Sequence, residues 1–393
     1  MEVKLRSPRI LERGLGIALP HEDELAPLER ELEAFTEALA GAPVDESHEH
    51  EATRTYVARL AKAGLSKLVV PAAFGGAYET VRSVPLCIAR QWLARSSGAL
   101  DTAFVMQGLG SYPVTMAGPA TLQREFLPKV AAGETICAFA LTEPEAGSDV
   151  AGMRTTAEPS GDGVVLRGHK AFISNAGVAT SYVVFAREGI PGDKPRFGAF
   201  WVPAHAEGLR VDPIRVIAPH PIGTVHLDGV FVPAAHRLGD VGEGLSIALG
   251  TLDVFRVSVG AAALGLADRA LDETITHLRA RVQFGKPLSK QQGLRFAVAE
   301  VATEHMAAQL LVYRAAAARD AGHPSSDQVA MAKLHATETA QRVIDRAVQS
   351  LGGRGVTVGS VPERLYREIR ALRIYEGTSE IQKLVIARAL FEG

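Results

Sequence analysis

The 393-residue chain has little of what marks several protein classes, beginning with cysteine. Its two cysteines, Cys87 and Cys137, lie far apart and have no CxxC or Cys/His spacing, so neither a disulfide framework nor a zinc site is indicated. We expect both to be buried thiols. Lysine and arginine number 42 against 44 acidic residues, a formal charge of −2 that offers no basic field to a phosphate backbone. We therefore expect no nucleic-acid partner.

The chain also lacks a long uninterrupted apolar run. The longest stretch, Val257 to Ala267, ends at Asp268 and is far shorter than the ~20 residues that span a bilayer. Residues 1–19 show neither the apolar core of a signal peptide nor the Arg/Ser pattern of a transit peptide. We expect a cytoplasmic protein without a transmembrane helix.

Common nucleotide-binding and hydrolase motifs are absent as well. There is no G-x-G-x-x-G and no P-loop, since Gly285-Lys286 is followed by Pro287. H-E-x-x-H and G-x-S-x-G are missing too, which disfavours a zinc protease and an α/β-hydrolase. His48 and His50 form a lone H-x-H in the polar segment 43–51, which we interpret as a loop and not as a metal site.

What the sequence does contain is a change of period along the chain. From Glu22 to Lys129, apolar residues return every three or four positions, which predicts helices. Between residues 136 and 239, short β-type runs are separated by Gly, Pro and Asp, and they predict strands at 164–167, 182–186, 198–202 and 224–232. Helical periodicity then returns over 245–277, 290–321, 326–351 and 379–391.

This α, β, α order argues against a doubly wound parallel sheet, in which strands and helices alternate throughout. We predict an α+β multidomain chain. Its domains would be an N-terminal helical domain over residues 1–135, a central β domain over 136–240 and a C-terminal helical bundle over 241–393.

Three polar segments interrupt this pattern with small residues and hydroxyls. The loop 141–149 carries Gly147 and Ser148, which could present N–H groups and a hydroxyl to a phosphate or a carbonyl, although a helix-capping turn explains it equally well. The segment 281–292 could hold a phosphate through Arg281, or simply connect two helices. The segment 373–382 places Glu376 before Gly377, and the hydroxyl of Thr378 or of Ser379 could cap the last helix.

Together these segments identify a family. With two more, they form a set of five that resembles the acyl-CoA dehydrogenase family over almost the whole chain: Ala138 to Asp149, Gly168 to Asn175, Arg281 to Gln292, Gln349 to Gly355 and Ile374 to Gln382. The family's fold is an N-terminal helical domain, a central β domain and a C-terminal four-helix-bundle domain, which agrees with the α, β, α order. Its members hold FAD and oxidise an acyl thioester across the α and β carbons.

The resemblance implies roles for particular residues. Thr142 would face the pyrimidine edge of the flavin, and Phe172 and Ser174 replace the Trp and Thr common in the family while keeping an aromatic surface and a hydroxyl. The full set implied to bind FAD, partly across a subunit boundary, is Phe139, Leu141, Thr142, Gly147, Ser148, Phe172, Ile173, Ser174, Arg281, Gln283, Phe284, Gln292, Gln349, Gly353, Thr378 and Glu380. The set implied to contact substrate is Ser148, Asp253, Arg256, Tyr375 and Gly377.

The same resemblance makes Glu376 the catalytic base that removes the α proton. Some family members place this carboxylate at the position that Phe255 occupies here, and phenylalanine cannot accept a proton. An α C–H beside a thioester is a weak acid, so the base must be made more basic by burial while the enolate oxygen receives hydrogen bonds.

The expected activity is FAD-dependent oxidation of an acyl-CoA to the trans-2-enoyl-CoA in fatty acid or amino acid catabolism. The implied partners are an electron-transfer flavoprotein and three further copies of the chain in a homotetramer. Pro219 to Thr224 departs from the family's usual CoA-contacting segment. This departure leaves a carrier-protein thioester dehydrogenase as an alternative. A flavin acyl-CoA oxidase and, from another class, a non-catalytic acyl-thioester-binding homologue are further alternatives.

Overall fold

The computed structural model describes residue 19 and residues 22–189, 196–323 and 325–392. Most of the N-terminal stretch that lacks a leader pattern lies outside the described residues, so the prediction about it is not tested. Both cysteines are free and buried, as predicted.

Ten α-helices are found in the described part of the chain. They are α1 (Glu22–Gly41), α2 (Glu49–Lys62), α3 (Ser83–Ser96), α4 (Gly98–Ala117), α5 (Ala120–Ala131), α6 (Gly244–Ala280), α7 (Gln292–Asp320), α8 (Ser326–Leu351), α9 (Val361–Leu372) and α10 (Ser379–Glu392). The α, β, α order is confirmed. The loop predicted over 43–51 ends earlier, because α2 already begins at Glu49 and includes His50.

The strands form one large mixed sheet and one small hairpin. They are β1 (Cys137–Ala140), β2 (Thr156–Ser160), β3 (Gly163–Ser174), β4 (Ser181–Glu188), β5 (Arg196–Pro203), β6 (Leu209–Pro213), β7 (Ile222–Pro233), β8 (Arg237–Leu238), β9 (Val282–Gln283) and β10 (Lys286–Pro287). The large sheet has the order β6-β7-β3-β2-β4-β5-β8, and β1 pairs in parallel with β4. The four strands predicted from sequence correspond to β3, β4, β5 and β7.

The chain divides into two compact units, of which the second comprises residues 43–82 and 102–255. This second unit contains the large sheet. Along β7 buried and exposed residues alternate, as expected for a strand with one face on a core. In β4 nearly every residue is buried, which explains its continuous apolar run from Tyr182 to Ala186. The apolar face of the sheet forms one cluster that includes Leu166, Val184 and Val225.

The first unit comprises the described residues within 1–42, 83–101 and 256–393, and helices α7 to α10 pack within it around α8. Its core is rich in alanine, such as Ala263 on α6 and Ala340 on α8. Small residues allow close helix packing. A Cβ at Gly265 would lie 2.2 Å from the carbonyl oxygen of Gln91, so α3 and α6 can approach this closely only with glycine there.

Helix α6 is long and apolar enough to cross a membrane by length and composition alone. However, 72% of its most apolar 18-residue window is buried inside the protein, which is the pattern of a core helix.

Candidate active site

The predicted base Glu376 lies in a turn between α9 and α10 with an unusual backbone. Its φ is +53°, in the left-handed region that few non-glycine residues adopt. The next residue, Gly377, has a φ of +91°, and a Cβ there would lie 2.6 Å from Nε2 of Gln382. Glycine at 377 therefore has a steric reason as well as a conformational one.

Three side chains hold the carbonyl groups of this turn. Nζ of Lys333, on α8, donates to the carbonyl oxygens of Tyr375 at 3.0 Å and Gly377 at 2.6 Å. Nε of Arg256 donates to the carbonyl oxygen of Glu376 at 3.1 Å, and Nε2 of Gln382 donates to that of Gly377 at 2.9 Å. We call this set of donors, Lys333, Arg256 and Gln382, the carbonyl clamp. It can maintain the strained conformation that places the Glu376 side chain.

A second carboxylate fixes the two ends of the same turn. Glu338 on α8 accepts hydrogen bonds from Nε of Arg373 at 2.9 Å and from the Ser379 hydroxyl at 2.6 Å. At the start of α10, Thr378 Oγ1 accepts the Ile381 N–H, so Thr378 is the cap residue of the two hydroxyls considered from sequence.

The carboxylate of Glu376 has one oxygen that is available to accept a proton. Its Oε2 is buried and has no hydrogen-bond partner among the described residues. Burial raises the pKa of Glu376 above its usual value, although the positive charges of Arg90, Arg256 and Lys333 oppose that rise. A carboxylate with a raised pKa and an unused oxygen has the properties of a general base.

A buried ion pair lies behind the turn. Arg90 on α3 donates from Nε and Nη2 to the two carboxylate oxygens of Asp101, at 2.8 and 2.7 Å, and from Nη1 to the Ser258 hydroxyl at 3.0 Å. Burial raises the pKa of the Tyr375 phenol, and the positive charge of Arg90 opposes that rise. The positive charge of Arg90 lowers the pKa of Glu376. Because Asp101 pairs with Arg90, this guanidinium is not available to bind another anion.

Sequence reasoning missed most of this support. Lys333 is fully buried although the sequence shows only a lysine in a helix, and burial lowers its pKa to about 8. Arg90 and Asp101 carry no motif either. A buried lysine or arginine on the apolar face of a predicted helix was the one available signal.

A hydrogen bond connects the start of the 141–149 loop to the end of β3, where several of the predicted flavin residues lie. The Thr142 carbonyl accepts the Ala171 N–H at 2.9 Å, which joins the loop to β3. Phe172 has a φ of +56° at a break in the β3–β7 register and is 60% exposed. An exposed aromatic ring beside a hydroxyl-bearing loop fits a flat aromatic ligand.

The remaining residues predicted on these strands have different environments. Phe139 packs on Phe185 with ring centroids 4.9 Å apart, and Gly147 and Ser148 are exposed. Leu141 is buried, and so is Ile173, whose side chain belongs to the sheet core. Any contact of Ile173 with a ligand would therefore be made through its backbone.

A buried ion pair fixes the loop to the sheet. Lys170 on β3 donates to Glu143 Oε1 at 2.7 Å and to the Leu141 carbonyl at 3.2 Å, and Glu143 also accepts the N–H groups of Arg154 and Thr155. Burial opposes ionisation of Glu143, but Lys170 and these hydrogen bonds outweigh it and hold the pKa of Glu143 below its usual value. Burial lowers the pKa of Lys170 to about 8, so the pair is charged at pH 7.

The residues predicted to hold the adenosine half of FAD all lie at the surface of the other unit. Phe284 is 94% exposed at the tip of the β9–β10 hairpin, which sequence analysis did not predict, and its φ is +52°. The other predicted members are also exposed: Arg281, Gln283, Gln292, Gln349 and Gly353. Glu380 is exposed at the start of α10, and Asp253 is exposed on α6.

Within the described residues, no three His, Cys, Asp or Glu side chains are grouped to hold a metal ion.

Comparison with known proteins identifies the class to which this fold and site belong. The chain matches the N-terminal, middle and C-terminal domain families of acyl-CoA dehydrogenase over residues 22–134, 138–230 and 242–391. It is 36% identical to cyclohexane-1-carbonyl-CoA dehydrogenase of Geobacter metallireducens, over 84% of this chain and 87% of that protein. It is 34% identical to a subunit of the caffeyl-CoA reductase-Etf complex of Acetobacterium woodii, over 85% and 89%.

Comparison with a solved structure gives the same family. A glutaryl-CoA dehydrogenase from Mycobacterium smegmatis in complex with FADH2 superposes with a TM-score of 0.84 at 28% identity, over 93% of this chain and 94% of that one. The chain therefore belongs to the acyl-CoA dehydrogenase family and is an FAD-dependent oxidoreductase.

Proposed function

We propose that the protein oxidises an acyl-CoA to the trans-2-enoyl-CoA, with Glu376 as the base that removes the α proton. The observation that carries the proposal is the buried Oε2 of Glu376, which has no hydrogen-bond partner among the described residues, in a turn whose carbonyls are clamped. A surface glutamate in an ordinary turn has no need of such a clamp.

In the proposed reaction, residues of this chain have separate roles in holding the turn, removing the proton and binding the thioester oxygen. Lys333, Arg256 and Gln382 hold the backbone of the turn, so the Glu376 carboxylate keeps one orientation. Burial makes that carboxylate more basic than in water, which favours transfer of the α proton to it. When bound, FAD supplies the acceptor for the hydride that leaves the β carbon. The backbone N–H of Glu376 is our candidate donor to the thioester oxygen.

The predicted cofactor-binding residues of this chain have the aromatic, hydroxyl and cationic groups that binding of FAD requires. Phe172 offers an exposed aromatic face, and Thr142 in the loop and Ser174 on β3 are half-buried residues that carry hydroxyls. Arg281 and the exposed ring of Phe284 suit a pyrophosphate and an adenine. A hairpin that exposes Phe284 so fully is best explained if a neighbouring subunit's cofactor covers it, which supports the proposed homotetramer.

The electron acceptor and the substrate are further parts of the proposal. A relative that belongs to an Etf complex supports an electron-transfer flavoprotein as acceptor. Phe255 is fully buried and packs edge-on against Tyr112, with centroids 5.8 Å apart, so it is a rigid and bulky residue. We expect it to favour a short or branched acyl group, and we place the reaction in the cytoplasm.

Anaerobic titration of the yellow holoenzyme with a panel of straight, branched and cyclic acyl-CoAs tests the proposal. At least one CoA ester should bleach the flavin, and electron-transfer flavoprotein should restore the yellow colour faster than oxygen does. Bleaching only by carrier-protein thioesters would identify the carrier-protein variant, and rapid peroxide formation in air would identify an oxidase. No bleaching by any thioester would leave the non-catalytic homologue.

A further inference from the structure

Two residues that depart from the family pattern contact each other. Ser174, at the end of β3, and His220, in the loop before β7, form a hydrogen bond of 3.1 Å between Oγ and Nε2. The other ring nitrogen of His220, Nδ1, lies 3.0 Å from the carbonyl oxygen of Ala218.

The backbone holds this contact in place. Ser174 pairs with Ile222 in the β3–β7 ladder, and the Asn175 N–H donates to the Pro221 carbonyl at 2.7 Å. His220 is thus fixed by the strand pairing directly after it, and its ring is not a freely moving surface group.

The partners of His220 define the direction of its hydrogen bonds. A carbonyl oxygen only accepts, so Nδ1 of His220 carries hydrogen and donates to Ala218. In the neutral imidazole Nε2 is then an acceptor, and the Ser174 hydroxyl must donate to it. Ser174 consequently has no hydrogen left for another partner, while the lone pairs of its oxygen remain usable.

Burial keeps His220 in this neutral form. It lowers the pKa of His220, against the opposing effects of the Ala218 carbonyl and of the negative charge of Glu49 on α2. Ser174 and Ala218 bring no charge. Above pH 7, therefore, the Ser174 hydroxyl is a donor to His220.

We propose that His220 is a positioning residue that sets the hydrogen-bonding direction of Ser174 toward the flavin, so that Ser174 Oγ accepts a hydrogen bond from the reduced cofactor. The inference rests on the proposed function, in which the resemblance to the family implies that the Ser174 hydroxyl reaches N5, the flavin nitrogen that accepts hydride. That nitrogen is a hydrogen-bond acceptor when the flavin is oxidised and an N–H donor when it is reduced. A Ser174 oxygen that only accepts favours the reduced form, so the Ser174–His220 pair raises the midpoint potential.

Redox titration of the bound flavin with a reference dye at pH 8, without any thioester, tests this. His220→Leu should lower the midpoint potential, because the freed Ser174 hydroxyl can then donate to oxidised N5. His220→Gln, whose amide oxygen can still accept from Ser174, should stay near the wild-type value. His226→Leu, which removes a histidine paired with Asp212 elsewhere on the sheet, is the matched control and should leave the potential unchanged.

The double variant shows whether His220 acts through Ser174. In a Ser174→Ala background, His220→Leu should cause no further change. An unchanged or higher potential in the single His220→Leu variant, or an equal shift with and without Ser174, would overturn the proposal. No thioester is present in this redox titration, so its result does not depend on whether acyl-CoAs bleach the flavin. The bleaching experiment tests the proposed function separately.

Discussion

Glu376 has three properties that an ordinary surface glutamate lacks and that its local sequence does not reveal. They are a left-handed backbone, a buried Oε2 without a hydrogen-bond partner among the described residues, and a raised pKa. Each has a physical cause in residues distant along the chain. The backbone is held by Lys333 and Arg256, and the pKa reflects burial moderated by Arg90. The proposed catalytic side chain is therefore held in place mainly by residues that are distant from it in the sequence.

Lys333→Met tests the carbonyl clamp. The loss of a charged donor should reduce the rate of flavin reduction by substrate about 10- to 100-fold, because each such hydrogen bond contributes about 1.5–3 kcal/mol to holding the turn. FAD absorbance should be retained, since Lys333 is not a predicted flavin residue. Lys383→Met, which alters an exposed lysine of α10, is the control and should stay close to wild type. Equal rates in both variants would contradict the clamp.

The raised pKa of Glu376 has a consequence for stability. Its carboxyl binds its proton more tightly in the folded state than in the unfolded state, so its contribution to stability is present below the unfolded pKa of about 4.5 and is lost as pH rises through the folded value. At pH 7 the buried charge is a cost. Glu376→Gln should therefore raise the thermal unfolding temperature at pH 7 more than at pH 4. An equal or opposite effect at the two pH values would refute the assigned shift.

At the scale of elements, periodicity predicted most of the helices and the main strands because these elements have one buried face. Helix α8 was predicted at its observed bounds, 326–351, and β4 from its continuous apolar run. The β9–β10 hairpin was missed because its strands have two residues each and no buried face. Contacts such as Lys170–Glu143 and Ser174–His220 join distant positions and leave no period in the sequence.

The Glu143–Lys170 pair is a buried ionic connection between the 141–149 loop and β3. Lys170→Met should lower the free energy of unfolding by about 3–5 kcal/mol, because it leaves Glu143 buried without its countercharge. Adding Glu143→Gln should recover part of that loss. Urea unfolding measures both effects.

An exposed pair in the same unit provides the comparison. Arg210 and Asp212 have side chains 55% and 57% exposed, so Arg210→Met should cost at most about 1 kcal/mol. Similar losses for Lys170→Met and Arg210→Met would show that burial of the first pair has no energetic consequence.

At the scale of the whole molecule, the predicted FAD residues lie in both compact units, and the three-domain division over 1–135, 136–240 and 241–393 stays a prediction. The adenosine-side residues Arg281 and Phe284 are exposed in the single chain. A near-zero net charge does not prevent phosphate binding, since a few placed groups are enough.

Arg281→Gln and Phe284→Ala should each weaken FAD binding by about tenfold or more while leaving the unfolding temperature of the apoprotein unchanged, because neither side chain contributes to the core. Titration of apoprotein with FAD measures the affinity, and light scattering should give a tetramer for the holoenzyme. Arg124→Gln, at an exposed position on α5, is the control. Full FAD affinity in both hairpin variants would contradict the proposed cofactor contact.

The most direct test of the account is the anaerobic rate at which the best acyl-CoA reduces the flavin in wild type and in Glu376→Gln. The amide keeps the size of the side chain but cannot take a proton, so FAD should stay bound while the rate of reduction falls by about 10²- to 10⁴-fold. In the wild type, the rate should rise with pH through the raised pKa of Glu376. A Glu376→Gln rate within tenfold of wild type would contradict the assignment of the base.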